Sequence, residues 1–215
     1  YLENSTFVVC HFNSYLGIKT VTNIPKMVNT DQYIQLYNEK LINDKAKDPV
    51  FLDRASYPTD TDWFKEIFRT AIINSNDISA SGTLGKLNYY LSAGNLQDEG
   101  NLAAGQGINS GSGFNRFTTK VNLSYKITDN LTIGNNFTFS KMRTDHVHNT
   151  LLDAYSSPPL YAPINPDTGD YQYFTLAKIP SSRAKMDLFR SQTREERLLN
   201  NIWGEYKFLN DFTLR

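Results

Sequence analysis

The strongest constraint on this chain is an alternation of apolar and polar residues that runs, breaks at a short turn, and resumes in the opposite direction. From Phe117 the odd positions are Phe117, Thr119, Val121, Leu123 and Tyr125, against Thr118, Lys120, Asn122, Ser124 and Lys126. Successive side chains of a strand point to opposite sides, so one side here is oily and the other hydrated. After Thr128-Asp129-Asn130 the pattern returns as Leu131, Ile133, Asn135, Phe137 and Phe139, against Thr132, Gly134, Asn136, Thr138 and Ser140. A three-residue turn sets Tyr125 opposite Ile133 and Val121 opposite Phe137, so the oily sides coincide, as a fixed register requires.

Two more hairpins pass the same test. Ile78 to Gly82 turns through Thr83-Leu84-Gly85-Lys86 into Leu87 to Leu96, which predicts Ala80 opposite Tyr89 and Ile78 opposite Leu91. Leu198 to Phe208 turns through Leu209-Asn210-Asp211 into Phe212 to Leu214, with Tyr206 opposite Leu214. A further strand is expected over about Phe7 to Thr20, and the connections between hairpins are long: Val21 to Ile73, Gln97 to Asn115, and Thr144 to Arg194. Short turns on one side and long loops on the other are the layout of a transmembrane β-barrel. Phe117 to Tyr125 rises about 26 Å, or about 19 Å along the normal at a tilt near 45°, most of a roughly 25 Å apolar band. The expected fold is therefore all-β: an antiparallel up-and-down transmembrane β-barrel segment of about seven strands from a larger barrel, with short helices in long extracellular loops. Alone, such a piece forms an open curved sheet with one bare apolar face.

Composition agrees. The 22 basic and 22 acidic residues balance, which gives no electrostatic case for nucleic acid. Thirteen Tyr and thirteen Phe against three Met suit pleated surfaces better than a helical core. The lone Cys10 excludes an intrachain disulfide and reads as a small apolar residue on a strand. Mean hydropathy is negative, as it is for barrel strands that average oily and hydrated positions. With Tyr1 first, no leader pattern following it, and a strand pattern running to the last residue, residues 1–215 are read as an internal piece of something larger.

The long connections carry local signals. Asn29 or Thr30 is placed to cap a helix over Asp31 to Ile42, with Tyr33, Leu36 and Tyr37 on one face. Asp60 or Thr61 is placed to cap a short helix through Phe68, and a third short helix falls near Leu151 to Tyr155. The run Asn165-Pro166-Asp167-Thr168-Gly169-Asp170 reads as a β-turn, because a calcium loop would need a Glu where Leu176 stands. His146 and His148 beside Asp145 form a hydrated loop base rather than a metal site. The glycines Gly105, Gly107, Gly111 and Gly113 lack the Lys-Ser/Thr of a phosphate loop, and no Gly-x-Ser-x-Gly elbow occurs. Arg194-Glu195-Glu196-Arg197 marks a solvated strand entrance. No cofactor, metal or catalytic constellation is expected, and the chain does not read as an enzyme.

Several segments occur together and in order. They are Tyr15-Leu16-Gly17 leading to Gln35-Leu36-Tyr37-Asn38-Glu39, Thr61-Asp62-Trp63 with Glu66-Ile67-Phe68-Arg69-Thr70, Asn88 to Gly94, Phe114-Asn115-Arg116-Phe117, Val121 to Gly134, and Leu152-Asp153-Ala154 with Pro159-Leu160-Tyr161 and Asp167-Thr168-Gly169. Over nearly its whole length the chain resembles the SusC/RagA family of TonB-linked transporters in the outer membrane of Bacteroidota. The resemblance implies a 22-stranded barrel with a plug domain and a TonB-contacting segment that lie outside this sequence. It also implies a SusD-like surface lipoprotein as lid, glycan or peptide cargo, and energy from the TonB–ExbB–ExbD complex.

On this reading Val121, Leu123, Tyr125, Ile133, Phe137 and Phe139 face outer-membrane lipid, while Lys120, Asn122, Lys126 and Asn136 face the lumen. The loop aromatics Tyr57, Trp63, Tyr155, Tyr161, Tyr171 and Tyr173 are candidates for stacking on sugar or peptide groups. Their alternative role is to pack the loops against one another or against the lid. The rival functions are a passive porin, a soluble extracellular carbohydrate-binding β-domain, and a siderophore or cobalamin receptor.

Overall fold

The computed structural model describes residues 7–103, 111–174, 179–189, 191–208 and 212–215. Five long strands come first: β1 (Phe7–Lys19), β2 (Ala71–Leu84), β3 (Leu87–Glu99), β4 (Gly113–Lys126) and β5 (Leu131–His146). A small ladder of β6 (Tyr173–Phe174) and β7 (Ile179–Pro180) follows, then β8 (Ser191–Phe208) and β9 (Phe212–Leu214). The long strands and β9 form one antiparallel sheet in the order β1-β2-β3-β4-β5-β8-β9, the up-and-down meander read from the sequence.

The register fixes which side chains share a face. One row runs Phe12, Ile78, Ala93, Thr119, Phe139, Leu198, and the next Cys10, Ala80, Leu91, Val121, Phe137, Asn200. On the opposite face the rows read His11, Ser79, Ser92, Lys120, Thr138, Leu199 and Asn13, Asp77, Gly94, Thr118, Ser140, Arg197. Tyr125 pairs with Ile133, Val121 with Phe137 and Tyr206 with Leu214, as expected. The turn of the last hairpin, Leu209-Asn210-Asp211, lies outside the described residues.

One register differs. Ala80 pairs with Leu91 and Ile78 with Ala93, because β2 and β3 meet at Leu84 and Leu87 around a two-residue turn. Gly85 supplies a φ of 57° at the first turn position, the backbone of the tight hairpin turns whose twist matches that of the strands. The shift is by two residues, so every side chain stays on its expected face. Strands also run further than the alternation indicated: β3 reaches Glu99, β5 reaches His146 and β8 starts at Ser191. Their outer ends carry ladder hydrogen bonds with charged side chains, such as Lys141 opposite Glu196 at 2.7 Å.

Among the described residues the loops hold four helices: α1 (Thr30–Asn43), α2 (Trp63–Ile67), α3 (Leu151–Ser156) and α4 (Ser182–Leu188). Asn29 caps α1 in a reciprocal capping box with Gln32. Asp62, rather than Asp60 or Thr61, caps α2; Asp60 instead accepts from the Thr30 amide at 2.9 Å, tying α1 to the segment before α2. Tyr33 stacks on Tyr37 at 6.2 Å, but Leu36 points to solvent and Ile34 fills the inner face. Among the described residues no helix is long and apolar enough to cross a membrane.

Candidate functional site

The buried side chains gather in the loops, where two clusters form a head. The first joins Trp63, Phe64 and Ile67 of α2 to Ala154 of α3, Phe174 of β6 and Met186 of α4. The second joins Ile34, Leu52 and Leu160, flanked by Tyr33, Tyr37, Tyr57 and Tyr161. Residues distant in sequence are stitched by hydrogen bonds: Thr61 N–H to the Pro159 carbonyl (3.0 Å), Thr61 Oγ1 to Tyr161 O (2.8 Å), and Arg183 to Glu66 (3.3 Å). Arg69 N–H donates to Asn101 O (2.8 Å) and Ala103 N–H to Ile67 O (2.9 Å), which brings the connection after β3 into the same body.

Within this head the six loop aromatics separate into two groups. Trp63 is 3% exposed, donates its indole N–H to Pro158 O at 2.9 Å and meets Phe174 edge-on at 5.0 Å. Tyr161 stacks on Phe174 at 5.2 Å and receives the edge of Tyr57 at 6.0 Å; burial raises the Tyr57 phenol above its ordinary range. Tyr155, Tyr171 and Tyr173 are 49%, 40% and 56% exposed. Tyr155 rests edge-on against Phe64 at 4.9 Å, and the Tyr171 hydroxyl donates to Asp187 at 3.0 Å. Three rings therefore hold the head together and three are presented outward. Nearby, the Ser56 hydroxyl and amide donate to Asp53 and hold its carboxyl below the usual range.

The wall beneath has two chemically distinct faces. Val121, Leu123, Tyr125, Ile133, Phe137 and Phe139 lie on the apolar one; Lys120, Asn122, Lys126 and Asn136 lie on the polar one. A cavity of about 540 Å³ sits on the polar face over β1 to β4, lined by residues including His11, Asp77, Tyr90, Ser92, Arg116 and Lys120. Gly94 makes room for this arrangement: a Cβ there would collide with the Asp77 carboxylate.

Sequence reasoning missed a second close approach. The Trp203 indole lies over Gly134 on the polar face, where a Cβ would strike the ring, and the Arg215 guanidinium sits 4.4 Å above it. The legible signal was a glycine inside a strand, which marks a place where something packs against backbone. Asp145, His146 and His148 do not converge. His146 Nε2 lies 2.9 Å from Thr193 Oγ1, His148 packs edge-on against Phe189, and no metal-binding group occurs among the described residues. Asn165 accepts from Asp167 and Thr168 amides, which closes the expected β-turn; Leu176 lies outside the described residues.

No protein-family model matches the chain. Over 197 residues it is 26% identical to a TonB-dependent receptor of Formosa agariphila, an alignment covering 90% of this chain and 19% of the other. Its fold matches the RagAB peptide importer in the closed-closed state with a TM-score of 0.73 at 18% identity, over 96% of this chain and 27% of that one. The open-open state matches at 0.70 and 20% identity, over 98% and 27%. The chain thus spans about a fifth of the curated relative and about a quarter of the solved chains. Those proteins carry the names of receptors and importers rather than enzymes. This chain is therefore similar in sequence to a TonB-dependent receptor and in fold to a SusC/RagA-type transporter.

Proposed function

We propose that the chain is part of the wall and outer loops of a TonB-dependent transporter that imports oligosaccharide or peptide nutrients across the outer membrane of a Gram-negative bacterium of the Bacteroidota. The observation that carries this reading is the bare apolar face. From Leu131 to Phe139 it climbs about 26 Å along β5, or about 19 Å along the normal at the tilt of barrel strands. Lys141 opposite Glu196 closes it at the outer end. In this arrangement the apolar alternation meets lipid, and the polar face lines the lumen or meets a plug.

The head is the rim that receives a SusD-like surface lipoprotein, and Tyr155, Tyr171 and Tyr173 are its outward rings. Energy comes from the TonB–ExbB–ExbD complex through parts of the protein beyond these residues. Spin labels at Leu123 and Phe137 of the full-length protein in bilayers test the reading. Strong relaxation by oxygen is expected, with little from a water-soluble nickel chelate. Labels that answer to the chelate instead, or a native protein recovered in the aqueous fraction without detergent, overturn it.

A further inference from the structure

Charge on the polar face is unevenly satisfied. Lys19 pairs with Asp98 and Arg197 with Glu195. Arg116 and Lys120 have no carboxylate partner among the described residues, although both are exposed and both line the cavity over β1 to β4. The Arg116 guanidinium lies 6.0 Å from the Phe114 ring. Asp77 is the one carboxylate in the lining; it leans over Gly94 towards β4 and accepts from Ser75 at 3.4 Å, without an ion pair to either cation. The lining of the cavity therefore carries two cations against one anion among the described residues.

Spacing and lining narrow the occupant. Arg116 and Lys120 stand on one side of one strand, about 13 Å apart along it, the reach of a few linked rings. Between and around them the lining is mostly hydroxyl and amide: Asn13, Ser79, Ser92 and Thr118. Tyr90 offers a phenol ring in the cavity, beside the His11 imidazole, and Ile78, Ala93 and Leu96 are its apolar lining. Hydroxyl and amide groups around a phenol ring suit sugar rings better than peptide side chains. Exposed cations with no carboxylate partner among the described residues favour a ligand that brings its own negative charge.

We infer that this cavity is a cargo subsite for an anionic oligosaccharide, its carboxylate or sulfate groups held by Arg116 and Lys120 and a ring stacked on Tyr90. This inference rests on the transport reading and names its substrate class. The test uses the purified full-length transporter in nanodiscs and four labelled probes: tetragalacturonate, a sulfated carrageenan tetrasaccharide, neutral galactotetraose and tetraglutamate.

Tetragalacturonate or the sulfated probe binds at least about tenfold more tightly than galactotetraose, and the preference shrinks with added salt. Whichever of the two binds better identifies the anion. Arg116→Gln with Lys120→Gln removes about tenfold of that affinity and leaves galactotetraose unchanged, while Tyr90→Leu weakens all three sugars. A heat-modifiable folded band on unboiled gels verifies that each variant is assembled. Equal binding of charged and neutral sugars, preference for tetraglutamate, or an R116Q/K120Q variant that leaks neutral dye yet binds anions normally would each overturn the inference. Failure of the transport reading itself is distinguishable, because the spin labels at Leu123 and Phe137 then report water whatever the sugars do.

Discussion

Phe137→Arg against Asn136→Arg separates the two faces at one height of one strand. Between Leu131 and Phe137 β5 rises roughly 20 Å, which at barrel tilt lifts Phe137 about 14 Å above the inner turn, near the middle of a roughly 25 Å band. An arginine on the lipid face at that depth costs about 2–4 kcal/mol, whereas lumen substitutions are tolerated. Asn136 stands one residue away on the polar face, in register with Asn122 and Asn201, so an arginine there finds water and polar neighbours. Guanidinium unfolding of the full-length protein in lipid vesicles reads both. F137R shifts the curve by the amount above and N136R by less than about 0.5 kcal/mol. Equal losses, or a larger loss from N136R, would falsify the assignment of faces.

Other consequences are as specific. Gly134→Ala drives a methyl into the Trp203 indole and lowers stability by about 1–3 kcal/mol, with part of the loss recovered in G134A/W203A; no recovery would remove the close approach as the cause. Trp63→Ala empties the centre of the head, at a cost of about 3–5 kcal/mol felt locally. Hydrogen exchange then rises in α2, α3 and α4 but not in β4 or β5, and a uniform rise would show that head and wall unfold together. Asn135 donates to Asn200 at 2.8 Å on the apolar face, so Asn200→Leu alone strands an amide and costs about 1–3 kcal/mol, while N135L/N200L is near neutral. A harmless single substitution would mean that water reaches the pair.

The alternation was legible because it is a property of the backbone: at Val121, Leu123 and Phe137 the side follows from position alone once strand and turn are identified. Turn length was less legible. Thr83-Leu84-Gly85-Lys86 looks like a loop by composition, yet the positive φ that Gly85 adopts lets Leu84 and Leu87 pair. Strand ends beyond the apolar band were hidden, since Thr144 to His146 and Ser191 to Arg194 read as loop although β5 and β8 run through them. The helix α4 gave too short a pattern to register, and its inward side chains, Ala184 and Met186, become intelligible only once Phe174 and α2 are beside them. Loop aromatics were legible as a set but not individually. Trp63 and Tyr173 have the same amphipathic character, and only the folded head decides that one is enclosed and the other presented.

The partition of apolar residues bears on what covers the wall. Trp63, Phe64, Ile67, Phe174 and Met186 bury one another in the head. Phe12 and Ile202 on the sheet are 72% and 75% exposed. Helices with apolar sides were available to lie across that sheet, and they turned to each other instead, held by Trp63 to Pro158 and Arg183 to Glu66. A sandwich needs a second layer as tall as the first, with side chains interdigitated about 10 Å across. Here the strands run from 13 to 18 residues in β1 to β5 and β8, and the long loops form a compact cap at their outer ends rather than that layer. The Asn135–Asn200 bond fits the same logic, since amides that satisfy each other sideways lower the cost of facing a medium that cannot hydrogen-bond. A face so tall, so bare and so internally satisfied is built for hydrocarbon, while its reverse side, lined by Arg116, Lys120 and Tyr90, is built for something that arrives in water.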